Sequence, residues 1–280
     1  MILPDFKLST RQNKVWSETG LDSKKYCLDK NHFKSYPCDI QYCYNSRGFR
    51  DSDWPTNLTN AIWCFGDSFT VGLGSPIEHT WVNILQTKTN SRCINISMDG
   101  ASNDWIARKI IRVLEVVQPL YIVVQWSFIS RAEDTNTHII DEQRRLQFSS
   151  VTQSDHISNF KKNIELVTAM AGNTKIIHSL IPNAHNIAPA KQFDEQWAVL
   201  RGSRWPQLPP QSVLEFNNLT IHEELRNYEF YNEYYDYLTL YELIKTNNLL
   251  SVVPLDKARD GYHYDIATAE QVVSDIMKLM

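Results

Sequence analysis

A layered α/β fold, with a parallel sheet between two sets of helices, is predicted by three observations. Apolar runs at 61–65, 92–96, 120–126, 174–181 and 249–254 are short and nearly continuous, the pattern of strands buried on both faces. Helical periodicity occupies stretches between them. The first run ends abruptly in Gly66-Asp67-Ser68, followed by a glycine-spaced turn, as a strand does when it presents a side chain at a sheet edge. A three-layer α/β/α sandwich with a parallel sheet is the expectation.

Residues 1–60 lack sustained periodicity and are rich in Lys, Asp, Asn and Tyr, so an irregular or partly stranded extension is expected there. The domain proper then spans 61–280. After the first strand, Glu78 to Leu85 can form a helix. After Gly100, residues Ile106, Ile110, Val113, Leu114 and Val117 share one helical face, with Asn103 or Asp104 as its cap. Beyond Ser158 the pattern repeats with Phe160, Ile164, Val167 and Ala171; beyond His263 it repeats with Ala269, Val272, Val273, Ile276 and Met280. Residues 183–248 break the alternation. They pass through Trp205-Pro206-Gln207-Leu208-Pro209-Pro210 into an aromatic run from Tyr228 to Tyr237, which reads as an inserted helical subdomain packed on the core, or as a lid offering ring faces to a sugar.

The chain has 280 residues, 42% of them hydrophobic and 21% charged, which suits a soluble protein with one sizeable core. A net charge of -4 with scattered Lys and Arg gives no electrostatic case for nucleic acid and fits a neutral or sugar-like partner better. No basic region precedes an apolar stretch at Met1–Phe6, and nowhere do 18 uncharged apolar residues run together, so a cytoplasmic chain without signal peptide or membrane span is expected. Five cysteines, two of them within strands, fit a reducing compartment. Sequons at Asn57, Asn95 and Asn218 would matter only in a secreted chain. Cys27, His32, Cys38 and Cys43 lack the tight spacing of zinc knuckles, so neither metal nor cofactor is expected.

Ser68 is the candidate nucleophile. A serine hydroxyl needs a base and an orienting carboxylate, and Asp260-Gly261-Tyr262-His263 offers both after the last strand, at the same sheet edge. Two other readings of the glycine turn fail. The Gly-Lys-Ser/Thr ending of a phosphate-binding loop is missing, and Thr70 stands where the second glycine of a Gly-x-Ser-x-Gly elbow belongs.

Together these residues resemble the SGNH/GDSL hydrolase superfamily, whose first block reads like Phe65-Gly66-Asp67-Ser68-Phe69-Thr70 and whose last is Asp-x-x-His near the C-terminus. The lead-in Asn45-Ser46-Arg47-Gly48-Phe49-Arg50 is similar to that of carbohydrate-esterase-like members. The resemblance spans about 44–182 and 249–280. It implies a flavodoxin-like parallel sheet, a Ser68-His263-Asp260 triad, and an oxyanion hole from the backbone of Ser68 and of Gly100, the second-block glycine. The third block departs: where the family has Gly-x-Asn-Asp, this chain reads Gln125-Trp126-Ser127-Phe128, and Asn103 becomes the substitute donor. Asp67 is expected to fix the turn and to border the substrate rim. Trp126, Ser127 and Arg131 would form a substrate rim, with Glu133 beside Arg131; the bland reading is a packed tryptophan and a surface ion pair. The implied activity is a serine ester hydrolase acting on a small-molecule or carbohydrate ester, in particular a carbohydrate O-acetylesterase or related deacylase. An O-acyltransferase on a sugar, or a catalytically weak carbohydrate-binding or assembly protein of the same fold, are the alternatives.

Overall fold

The computed structural model describes residues 6–129, 131, 133, 153–182, 243–252 and 254–280. The N-terminal part carries one turn of 3-10 helix at Ser9–Arg11 and an antiparallel pair of two-residue strands, β1 (Val15–Trp16) and β2 (Tyr42–Cys43). Between them lies α1 (Lys30–Ser35), capped by Asp29, whose carboxylate accepts from the Asn31 and His32 N–H groups at 2.9 Å each.

The main sheet is parallel throughout. Its strands are β3 (Ile62–Gly66), β4 (Cys93–Ser97), β5 (Tyr121–Trp126) and β6 (Lys175–Leu180), in the spatial order β4-β3-β5-β6. Cys64 pairs in register with Asn95 on one side and Val123 on the other. The chain steps from β3 to β4, then returns across β3 to β5, so the C-terminal end of β3 lies at the switch point where open α/β sheets bind ligands. The run 249–254 was expected to be a fifth strand, but its described residues give only a parallel bridge, Leu250 with Ser179. Beyond it the chain turns to the C-terminal helix, where the Leu255 and Asp256 N–H groups donate to the Thr268 hydroxyl.

Alternation along the strands separates two cores. Trp63, Phe65, Ile94, Ile96, Ile122 and Val124 face α4 (Asn103–Val116) and α5 (Gln153–Ala169). Ile62, Cys64, Cys93, Val123 and Ile177 face α3 (Trp81–Thr89) and α6 (Ile266–Leu279), completing three layers; α2, the remaining helix, belongs to the site. The expected apolar faces of α4, α5 and α6 are buried, except that Val117, Ala171 and Met280 lie beyond the ends of their helices and are only partly buried. The cap of α4 is Ser102, whose hydroxyl accepts from the Trp105 N–H at 3.1 Å, rather than Asn103 or Asp104. Both of those side chains are bound elsewhere: Asn103 holds the loop after β5, and Asp104 holds Asn159 and Asn163 of α5.

Phe6 and Phe49 are fully buried in the first core, Phe6 edge-on to Trp54 and Trp63 and Phe49 stacked on Trp54, so the N-terminal part shares the sheet's core. Of the stretch read as an insertion, 183–242 lies outside the described residues, including the aromatic run; 243–246 form a helical turn with Leu243 buried. No described helix is long and apolar enough to cross a membrane. Among the described residues no three His, Cys, Asp or Glu side chains gather as metal ligands; Cys27 is buried, Cys43 is exposed, and His32 donates to the Ala258 carbonyl.

Candidate active site

Strand β3 ends in glycine because nothing larger fits. A Cβ on Gly66 would collide with the Thr70 hydroxyl, which folds back over the strand end to reach Gln125 Oε1 at 3.1 Å. The chain then turns into α2 (Ser68–Val71), a single helical turn with Ser68 as its first residue. Asp67 caps it, its Oδ1 accepting from the Phe69 N–H at 3.0 Å. The Ser68 hydroxyl therefore stands at a helix N-terminus, where the dipole favours developing negative charge.

Asp260 and His263 arrive on the turn between Leu255 and α6, closed by Ala258 N–H donating to the His263 carbonyl at 2.8 Å. Asp260 Oδ1 accepts from the Tyr262 and His263 N–H groups at 2.9 and 3.0 Å, which aims Oδ2 at the imidazole. His263 Nδ1 lies 2.5 Å from that oxygen and Nε2 lies 2.9 Å from Ser68 Oγ. With Nδ1–H donating to Asp260, Nε2 is left to accept the serine proton. All three side chains are buried. Burial disfavours both charges, yet the attraction between the two partners wins: the His263 pKa is raised and that of Asp260 lowered. Phe69 lies 4.5 Å, centroid to centroid, from the His263 ring, Tyr262 stands edge-on to it, and Phe128 packs against Phe69.

The supporting residues take other positions than the sequence suggests. Asp67 is fully buried and fixes the turn as expected, but it is not rim: its Oδ2 accepts from the Ser127 hydroxyl at 2.5 Å and from Arg131 Nη1 at 2.9 Å. Ser127 is thus a buried brace of Asp67 and not rim. Trp126 is fully buried, stacked on His178 and edge-on to Phe160, because its position on β5 points into the first core; it cannot line the rim. Arg131 pairs with Asp67 inside the site, while Glu133 pairs with Arg108 and not with Arg131. Asn103 was expected to turn its amide to the oxyanion. Its Oδ1 accepts from Ser127 N–H and its Nδ2 donates to the Phe128 carbonyl, both at 2.9 Å, which commits one of its two amide hydrogens to the loop after β5 and leaves the second for that role. Gly100 sits in the turn after β4 with φ +74, and a Cβ there would meet nothing within 4 Å.

Sequence reasoning also left His178 and His79 as ordinary polar residues. His178 Nδ1 accepts from Trp126 Nε1 at 3.1 Å, and burial pushes its pKa down to about 4; His79 pairs with Asp265. No spacing signal joins either pair in the sequence.

The chain matches no protein-family model and no curated protein sequence. Among solved structures it is similar to TesA at 14% identity, covering 78% of this chain and 96% of that one, with a TM-score of 0.42. A member of the lipolytic protein G-D-S-L family from Veillonella parvula is similar at 15% identity, 79% and 97% coverage and a TM-score of 0.41. The psychrotrophic esterase EstA from Pseudoalteromonas sp. follows at 16% identity, 78% and 94% coverage and 0.41. Scores this low leave function to the chemistry of the site: a hydroxyl, an imidazole and a carboxylate in one buried hydrogen-bonded line at the sheet's switch point.

Proposed function

We propose that this chain is a serine ester hydrolase of the SGNH/GDSL type, working through an acyl-enzyme. The observation that carries the reading is the continuous line from Asp260 through His263 to Ser68 Oγ. Ser68 Oγ attacks the acyl carbon while His263 Nε2 takes its proton. The tetrahedral intermediate expels the alcohol, which leaves with that proton. Water then attacks the acyl-enzyme by the same route, its proton passing through His263, and releases the acid. Asp260 holds the imidazole in the required tautomer and stabilises its charged form. The oxyanion meets the backbone N–H groups of Ser68 and Gly100, with the second amide hydrogen of Asn103 as third donor.

Within that class we place the substrate among carbohydrate O-acetyl esters. The half-buried Phe128 and Tyr262, packed on the buried Phe69 beside the histidine, supply ring faces against which a small acyl group and the C–H face of a pyranose can pack. A chromogenic acetyl ester assayed with wild type and Ser68→Ala tests the enzyme reading. Equal background rates for the two would sink it, and would favour the binding protein that the altered third block allows. An acceptor sugar in the assay, with analysis for acylated sugar, separates hydrolysis from transfer.

A further inference from the structure

The one-turn helix that carries Ser68 is far too short to hold itself, so something outside it must. Its N-terminal end is capped by Asp67. Its C-terminal end is held by Arg50, a residue from the N-terminal part of the chain that is 2% exposed. Arg50 Nη1 donates to the carbonyls of Val71 at 3.1 Å and Gly72 at 2.5 Å; Nη2 donates to Ser75 at 2.8 Å and Gln41 at 3.4 Å. Among the described residues its acceptors are backbone carbonyls and not a carboxylate. A guanidinium buried this way satisfies the orphan carbonyls of a helix end, and its charge suits the negative end of the dipole.

The same cluster reaches the other half of the site. The Arg50 guanidinium lies over the Tyr42 ring, 4.3 Å from its centroid. The Tyr42 hydroxyl accepts from Gly74 N–H at 2.8 Å and donates to Asp22 at 2.5 Å. Asp22 takes a fork of hydrogen bonds from Arg259 at 2.6 and 2.8 Å, and Arg259 N–H donates to the Gly74 carbonyl at 2.8 Å. Arg259 precedes Asp260. Both backbone groups of Gly74 are therefore bound, one to the N-terminal part and one to the acid–base turn.

We infer that Arg50 and Tyr42 are positioning residues that set the distance between the Ser68 turn and the Asp260–His263 turn. The inference rests on the reading of Ser68 as nucleophile. Arg50 touches no reacting atom; it fixes the far end of the helix on which the hydroxyl rides. Lysine cannot replace it, because one ammonium cannot span carbonyls on both sides of a planar fork. A misplacement of about 1 Å at a reacting centre costs on the order of 10²-fold in rate.

The test compares wild type, Arg50→Ala, Arg50→Lys and Tyr42→Phe on a chromogenic acetyl ester, with the downfield NMR resonance of the His263 Nδ1 proton as a second readout. Arg50→Ala should lose roughly 10²-fold in kcat with KM little changed. Millimolar guanidinium chloride should restore part of that loss, and Arg50→Lys should not. A folded Arg50→Ala with full kcat and an unaltered His263 resonance overturns the proposal, as does a loss that guanidinium leaves untouched. Should Arg50→Ala fail to fold, Tyr42→Phe decides: it keeps the ring under the guanidinium and removes only the bridge from Gly74 to Asp22. A fall of roughly tenfold in kcat is expected there, and none overturns the inference. If the wild type hydrolyses no ester, the enzymatic reading fails separately. The His263 resonance then decides alone, shifted in Tyr42→Phe if the network positions the turn and unshifted if it does not.

Discussion

Replacing Asp260 with asparagine changes the fewest atoms for the largest expected effect. The amide oxygen can keep the Tyr262 and His263 N–H groups that Oδ1 now accepts at 2.9 and 3.0 Å, so the turn should hold its shape. At the other oxygen, where Oδ2 lies 2.5 Å from His263 Nδ1, an NH2 group would now face the ring. Nδ1 must then accept, which leaves Nε2 protonated and facing Ser68 Oγ with a hydrogen where a lone pair is required. The wrong tautomer of a triad histidine costs on the order of 10⁴ in kcat, or about 5 kcal/mol of barrier. The pH profile moves as well. His263 works only when neutral and its pKa is raised by Asp260, so in the wild type kcat/KM should climb through an acid limb above about pH 6.5. Without the carboxylate the limb should shift to lower pH. Initial rates on the acetyl ester across that range, with circular dichroism to check the fold, measure both. A loss below tenfold, or an acid limb in the same place, would refute the triad reasoning.

Asn103→Asp keeps the oxygen that accepts from Ser127 N–H but removes the amide donor; kcat should fall about 10²-fold, and an unchanged rate removes Asn103 from the oxyanion hole. Gly74→Ala puts a Cβ 2.7 Å from the Ala258 Cβ and 3.1 Å from the Asp260 carboxylate at φ +78. Urea unfolding should show a loss of about 2–4 kcal/mol from left-handed backbone and overpacking together, with a loss of activity exceeding the unfolded fraction. Burial holds His178 at about 4, below its ordinary value, so its share of stability is present above about pH 6.5 and lost as pH falls toward 4, amounting to about 3 kcal/mol. His178→Gln should flatten that part of the stability profile, and parallel profiles would disprove the assignment.

Four of the strands, the helix faces and the meeting of Ser68, His263 and Asp260 were legible because each rests on local periodicity or on a motif a few residues long. Gly66-Asp67-Ser68 and the Asp260–His263 spacing announce a turn and a pair of partners that the fold only has to bring together. The fifth strand was misjudged because an apolar run reports burial, not where its N–H groups go: the Leu250 N–H reaches the His178 carbonyl of β6, but that of Leu249 goes back to Ile244, and just beyond the run those of Leu255 and Asp256 go to Thr268. The rim was misjudged for a similar reason: parity along β5 decides whether Trp126 faces a core or a cleft, and a one-residue difference reverses the answer. The bracing contacts of Ser127, Arg131, Arg50 and Tyr42 gave no signal, although Ser127 and Arg131 were read as rim and Arg50 as part of a lead-in. Their partners are 60, 64, 22 and 20 positions away, and polar contacts of that reach leave no pattern in a single chain.

The bond between Ser68 and His263 closes a loop of 195 positions, and that between Asp22 and Arg259 one of 237. In a polypeptide made from its N-terminus, Arg50 meets its acceptors on Gln41, Val71, Gly72 and Ser75 early, whereas Asp22 and Ser68 stay solvated without these partners until Arg259 and His263 have been made. Closing such loops is entropically slow, which ranks this site among the late events of folding rather than its nucleus. Refolding followed by tryptophan fluorescence should outpace the return of esterase activity, and the gap between the two is the time the N-terminal network takes to find the acid–base turn.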